Sequence, residues 1–195
     1  MVLNVLQPGA TVNGKNLKHF ITKYWQAVCP IPKTNNPIWE NNGNKDESFN
    51  NSIGEDLFML SPSMSPQGQI TRNIKVPAGK RLFIPVVPIE VSKCETNRPS
   101  LDAVARKDQT SIVQNSLVIE LKHGSVTTPP FNLDDYNFRD PFSIGSVTFP
   151  SPHTEAVFKI INPLPSCEAV AAGRYVWTEP LQAGNTYTVH YSGKV

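Results

Sequence analysis

The chain has no run of lysine or arginine, no C-x-x-C pair, no long apolar stretch and few charges of either sign. Each absence excludes a class of function. Its 18 basic and 16 acidic residues leave a formal net charge of +2. The basic residues are scattered, so no stripe tracks a phosphate backbone, and nucleic acid is not an expected partner. Charged residues make up 17% of the chain, against a usual share of about 25%. Cys29, Cys94 and Cys167 lie too far apart for a zinc ribbon or a dithiol redox motif. Their odd number leaves two options, one disulfide plus a free thiol or three free thiols. The longest apolar run, Leu82 to Val91, falls well short of the ~20 residues that cross a bilayer. Pro85 and Pro88 interrupt it further, so no transmembrane segment is expected. Met1 to Leu6 lacks the charged start and long apolar core of an export signal, and no signal peptide is visible. There is no Gly-x-Ser-x-Gly elbow, His-Glu-x-x-His helix, P-loop or dinucleotide-binding glycine triplet. His19, His123, His153 and His190 stand alone, with no short-spaced pair to chelate a metal.

Proline and asparagine are abundant, at 18 and 17 residues of 195. Both favour turns and irregular segments over helix interiors. Low charge with many Asn and Pro fits an extracellular or cell-surface β protein better than a helical cytosolic enzyme. Hydrophobic residues reach 39%, enough for a core that needs no metal or disulfide to form. No linker or internal repeat divides the chain, so residues 1–195 are read as one domain.

Leu17, Phe20, Ile21, Tyr24, Trp25 and Val28 step by three and four and define one face of a helix. Asn13 or Asn16 can cap its start, and Cys29-Pro30-Ile31-Pro32 ends it. Core packing accounts for this aromatic stripe. Residues 33–56 read as a long polar loop. Beyond it the period changes to that of strands. Residues 70–76 and Arg81 to Val91 flank the turn Pro77-Ala78-Gly79-Lys80, a hairpin pattern, with a bend or bulge expected at the prolines of the second run. Ser100 can cap a short helix near 100–108 with Leu101, Val104 and Ala105 facing inward. Ile112 to Leu121, Val147 to Phe149 and Ala156 to Ile161 read as further strands. Tyr175 to Thr178 and Thr186 to Tyr191 read as a C-terminal hairpin about Gln182-Ala183-Gly184-Asn185. Six or more short strands with Gly/Pro turns predict a mainly β fold, an antiparallel β-sandwich of jelly-roll type with one N-terminal amphipathic helix.

The candidates for chemistry are few. Glu90 interrupts an apolar strand; turned inward it needs a partner such as Arg81 or Arg139, because an unpaired buried carboxylate is costly. A glycan hydrolase would use Glu90 with Asp134, Asp135 or Asp140 as its acid pair. Asp134, Asp135 and Asp140, and separately Asp46, Glu47, Glu55 and Asp56, offer oxygen ligands for calcium, without the spacing of an EF-hand. Calcium is thus the one cofactor with any residues to suit it. Trp39 and Tyr136 lie in polar loops, where an exposed ring can stack on a sugar.

Several segments in order resemble an uncharacterised family of bacterial and archaeal secreted proteins. They are residues 8–37, with Tyr24-Trp25-Gln26-Ala27; Phe58-Met59-Leu60; Val76 to Val86, with the Val-Pro-Ala-Gly-Lys turn; Glu90-Val91-Ser92; and the closing Leu181-Gln182-Ala183-Gly184. The resemblance implies a fold and no chemistry. Members usually carry an export signal and cysteines ahead of the Val-Pro-Ala-Gly-Lys turn, whereas 41–56 and 70–75 contain none here. The expected function is therefore contact: a structural, self-assembling subunit or a module that binds a surface glycan or protein. The glycan hydrolase is the alternative, and a calcium-stabilised adhesion domain a further one. The alternating segment Val2 to Leu6 is the natural donor of a strand to a neighbour's sheet.

Overall fold

The computed structural model describes residues 4–39, 45–46, 49–50, 57–62, 69–75, 77, 79–111, 118–123, 126–127, 133–181 and 186–192. In chain order its elements are β1 (Thr11–Val12), β2 (Lys15–Asn16), α1 (Leu17–Val28), β3 (Leu57–Met59), β4 (Gln69–Lys75) and β5 (Arg81–Ser92). There follow α2 (Leu101–Thr110), β6 (Val118–His123), β7 (Val126–Thr127), β8 (Asn137–Val147), β9 (Cys167–Pro180) and β10 (Thr186–Ser192). One sheet has the order β3-β5-β9-β8, a second β4-β10-β6-β7, and β1-β2 form a small ribbon. All pairings are antiparallel except β3 with β5. The fold is mainly β.

Helix α1 forms where the 3.6-residue pattern places it. Asn16 sits in extended backbone and its Oδ1 accepts the His19 N–H at 3.1 Å, which satisfies one of the otherwise orphaned first-turn donors. All six predicted stripe residues are buried. At roughly 2 kcal/mol per large apolar side chain, that burial outweighs the marginal stability of a 12-residue helix in isolation. The stripe covers one face of the first sheet, against Phe83, Ala169, Ala171, Tyr175 and Trp177. The other face of that sheet (Leu82, Ile84, Val91, Val170, Ala172, Val176) packs against Leu101 and Ala105 of α2, Leu133, Tyr136 and Val189 of β10. Helix α2 is capped as expected, with Ser100 Oγ accepting the Ala103 N–H at 3.2 Å.

Both predicted hairpins are absent. The turn at 77–80 carries the chain from one sheet to the other: β4 pairs with β10, while β5 pairs with β3 and β9. Likewise β9 pairs with β5 and β8, and β10 lies between β4 and β6. The reason is visible in the strands themselves. β5 and β9 are apolar on both faces and need a position covered on both sides, whereas β4 and β10 alternate in sequence as half-covered strands do. A Gly/Pro turn dictates reversal and leaves the choice of partner to burial.

The bend expected in β5 is present, as a register shift between Pro85 and Val87. β3 reaches only as far as Phe83 along β5, so Pro85 and Pro88 lie beyond it and the missing N–H groups interrupt no described ladder on that side. Residues 156–161 form no strand. They follow a cis Ser151–Pro152 bond and a 3₁₀ turn at His153–Glu155, and pack side chain by side chain, with the Phe158 ring against Trp25 and Phe149. Residues 112–117 of the predicted strand lie outside the described residues; 118–121 fall within β6. The polar loop 33–56 contributes a 3₁₀ turn at Pro37–Trp39, pinned by Asn36, whose Nδ2 donates to the Val28 and Ile31 carbonyls at 2.8 and 3.1 Å.

Candidate functional site

Among the described residues, a group of strongly shifted titratable side chains lies under α1. Glu90 is on β5 between Ile89 and Val91, both of which face α2, so alternation turns its side chain to the α1 face. Part of the residue reaches the surface, but both carboxylate oxygens are buried. Its titrating neighbour is Glu95, within hydrogen-bonding reach. The loop after β5 delivers Glu95 there. Cys94 is tied to Cys167 at the start of β9, and the Cys94 carbonyl accepts the Ile161 and Asn162 N–H groups, each at 2.9 Å. Glu95 Oε2 in turn accepts the Ser92 hydroxyl at 2.6 Å and the Ser92 N–H at 3.1 Å.

Burial first, then the charge of Glu95, pushes the Glu90 carboxyl well above the usual carboxylate range. Burial also raises Glu95, although its hydrogen bonds from Glu90 and Ser92 pull it partly back. Cys29, buried at the end of α1, is raised by burial and then by Glu90 and Glu95, which makes it an inert thiol. Tyr175 is raised by burial; its hydroxyl accepts the Trp25 Nε1–H at 2.9 Å and lies 3.5 Å from the Ile89 carbonyl. Two ionised carboxylates in contact have acceptors and no donor, so one proton between them satisfies both.

The arginine partner expected for Glu90 is thus replaced by a second acid. Arg81 lies nine residues along the strand, roughly 30 Å away, and Arg139 is exposed on β8. The loop aspartates do not join Glu90. Asp134 accepts Arg174 Nη2 at 2.7 Å, and Arg174 shares the α2 face of β9 with Ala172 and Val176. Asp135 is exposed in the same 3₁₀ turn, and Asp140 is exposed and paired with Arg106 at 2.8 Å. Among the described residues no three His, Cys, Asp or Glu side chains are placed to hold a metal ion. Asp46 Oδ1 accepts the Ser61 N–H; Glu47, Glu55 and Asp56 lie outside the described residues. Tyr136 is 5% exposed, with its ring in the core. Trp39 is 46% exposed, but the Lys33 ammonium sits 3.6 Å from its ring centroid and occupies one stacking face. No helix among the described residues is long and apolar enough to cross a membrane.

Two sheet margins differ in how they are finished. β8, a margin of the first sheet, carries Pro141 and two register shifts, with exposed Arg139 and Asp140. Side-chain amides cap its backbone: Gln26 donates to the Ile144 carbonyl at 2.8 Å, and Gln109 to those of Phe138 and Arg139 at 3.3 and 3.1 Å. These devices oppose strand addition. β8 begins opposite Arg174, so the outer edge of β9 beyond it is taken by the N-terminal segment instead. Val5 bridges Thr178, Leu6 N–H donates to the Trp177 carbonyl at 2.9 Å, and Glu179 N–H donates to that of Asn4 at 3.0 Å. Val5 packs on one core cluster and Leu6 on the other. Residues 4–6 of the alternating segment singled out in the sequence thus lie on a sheet, and the sheet is their own; residues 2 and 3 lie outside the described residues. No protein-family model matches the chain, and no curated protein or solved structure resembles it.

Proposed function

We propose that this is a β-sandwich subunit of jelly-roll type that works by contact at a cell surface or outside the cell, joined to further copies by its N-terminal strand. The observation that carries this reading is the seat of residues 4–6 on the open end of β9. An acceptor edge and a matching donor strand reside in one chain, and the same contacts form equally well between two copies. Supporting it, the β8 margin is finished against strand addition while the end of β9 beside it accepts a strand. The resemblance to secreted proteins accords with the location. The loop aspartates do not join Glu90, since Asp134 pairs with Arg174 and Asp140 with Arg106, which favours contact over hydrolysis.

Light scattering with negative-stain imaging over a concentration range tests the reading. Discrete oligomers or filaments are expected, and deletion of residues 1–8 should reduce them. A clean monomer at every concentration contradicts it.

A further inference from the structure

We infer that Glu90 and Glu95 hold one proton between them beneath α1, and that this shared proton makes the seam between α1 and the first sheet stable in acid and prone to open in alkali. The inference does not depend on assembly. It rests on geometry: two acids are brought within hydrogen-bonding reach by a strand, a disulfide-anchored loop and a buried serine. Both oxygens of one acid are shut away from water.

Among the described residues no cation is placed against the pair. From the end of α1 comes Cys29, from β9 Tyr175, and from α2 Asp108, which acts on Glu95. All are neutral or anionic. The nearest lysine in sequence, Lys93, directs its ammonium to the Arg98 and Pro99 carbonyls at 3.3 and 3.1 Å. Without the proton, two carboxylates would face each other with the oxygens of Glu90 out of reach of water, where screening is weak.

The sign follows from linkage. Both glutamates are raised in the folded chain, so the folded state binds more protons than the unfolded one. The stabilisation is fully present below the ordinary glutamate range of about 4.3. It fades as pH rises through the folded-state value, with the folding constant falling by up to about tenfold per pH unit for each proton released. A domain built this way is fitted to an acidic medium, and its helix seam is the first part to loosen when the medium turns alkaline.

The test is urea unfolding between pH 5 and 9 for the protein and for Glu90→Gln, whose amide donates to Glu95 at every pH and has no proton to lose. The protein should lose stability steadily with rising pH, and the slope should be clearly shallower in the variant, which keeps only the burial of Glu95. A flat profile for the protein, or the same slope in both, overturns the inference. Should Glu90→Gln fail to fold, Cys29 reports on the unaltered protein. Its iodoacetamide labelling, divided by the rate for the urea-unfolded chain at the same pH, should show protection falling as pH rises; constant protection overturns the inference.

Discussion

Gly173→Ala is expected to destabilise the protein by about 4 kcal/mol, from backbone strain and a backbone clash together. Gly173 has φ of +103°, and a Cβ there would lie 2.2 Å from the Val87 carbonyl oxygen and 3.3 Å from Pro88 Cα. The obstacle is the backbone of the neighbouring strand, directly opposite at the Pro88–Gly173 pair, where both sheet faces are covered. Neither strand can retreat without opening a core. For a chain of this length the loss corresponds to a fall in melting temperature of roughly 12 °C. Gly145→Ala is the control: φ is +74°, but the nearest atom to an added Cβ is a side-chain nitrogen of Gln26 at 3.5 Å. Strain alone should cost about 1 kcal/mol there. Equal melting temperatures for the two variants would show that the close approach at Gly173 does not exist.

Reduction of the Cys94–Cys167 disulfide should be nearly as damaging. The bond spans 73 residues of sequence, and releasing a loop of that size restores about 4 kcal/mol of chain entropy to the unfolded state. It also frees the loop that carries Glu95. Thermal melts with and without reductant should differ by roughly 10 °C. Thiol titration of the unfolded protein should find one reactive sulfur before reduction and three after. Three before reduction, or unchanged melting, contradicts the assignment. The cysteine count left this pairing open, because spacing along the chain says nothing about which residues a sheet brings together. Cys94 follows β5 and Cys167 opens β9, which are adjacent strands.

Much of the rest was legible where the chemistry is local. The spacing from Leu17 to Val28, the Asn16 and Ser100 caps and the irregularity of β5 at its prolines are each written in a few neighbouring residues, and each is present. What depended on distant partners was not legible. Most of β8 was missed, and its expected strand at Val147 to Phe149 meets it only at Val147, because Pro141 and Gly145 punctuate it, and those same residues are what finish it as a margin. Most of β9 was missed because Ala169 to Gly173 are small and carry little strand signal; small residues are what a strand needs when a helix and a second strand press close on it. Glu90 stood out as an acid within an apolar strand. Its partner was sought among arginines because an ion pair is the common remedy, and nothing in sequence shows that a loop will bring Glu95 back onto the same face. Tyr136 was placed among exposed rings by its polar neighbours, but a 3₁₀ turn directs it inward.

Cross-linking between Val5→Cys and Thr178→Cys measures the joint itself. The two positions are bridged across the edge of β9, at a separation of about 5 Å that a disulfide can close. In a Cys29→Ala background, oxidation of concentrated protein should give a ladder of covalent multimers on a denaturing gel, each N-terminal strand caught on another copy. If oxidation yields only internally closed monomer at every concentration, the strand never leaves its own sheet and the assembly account is wrong.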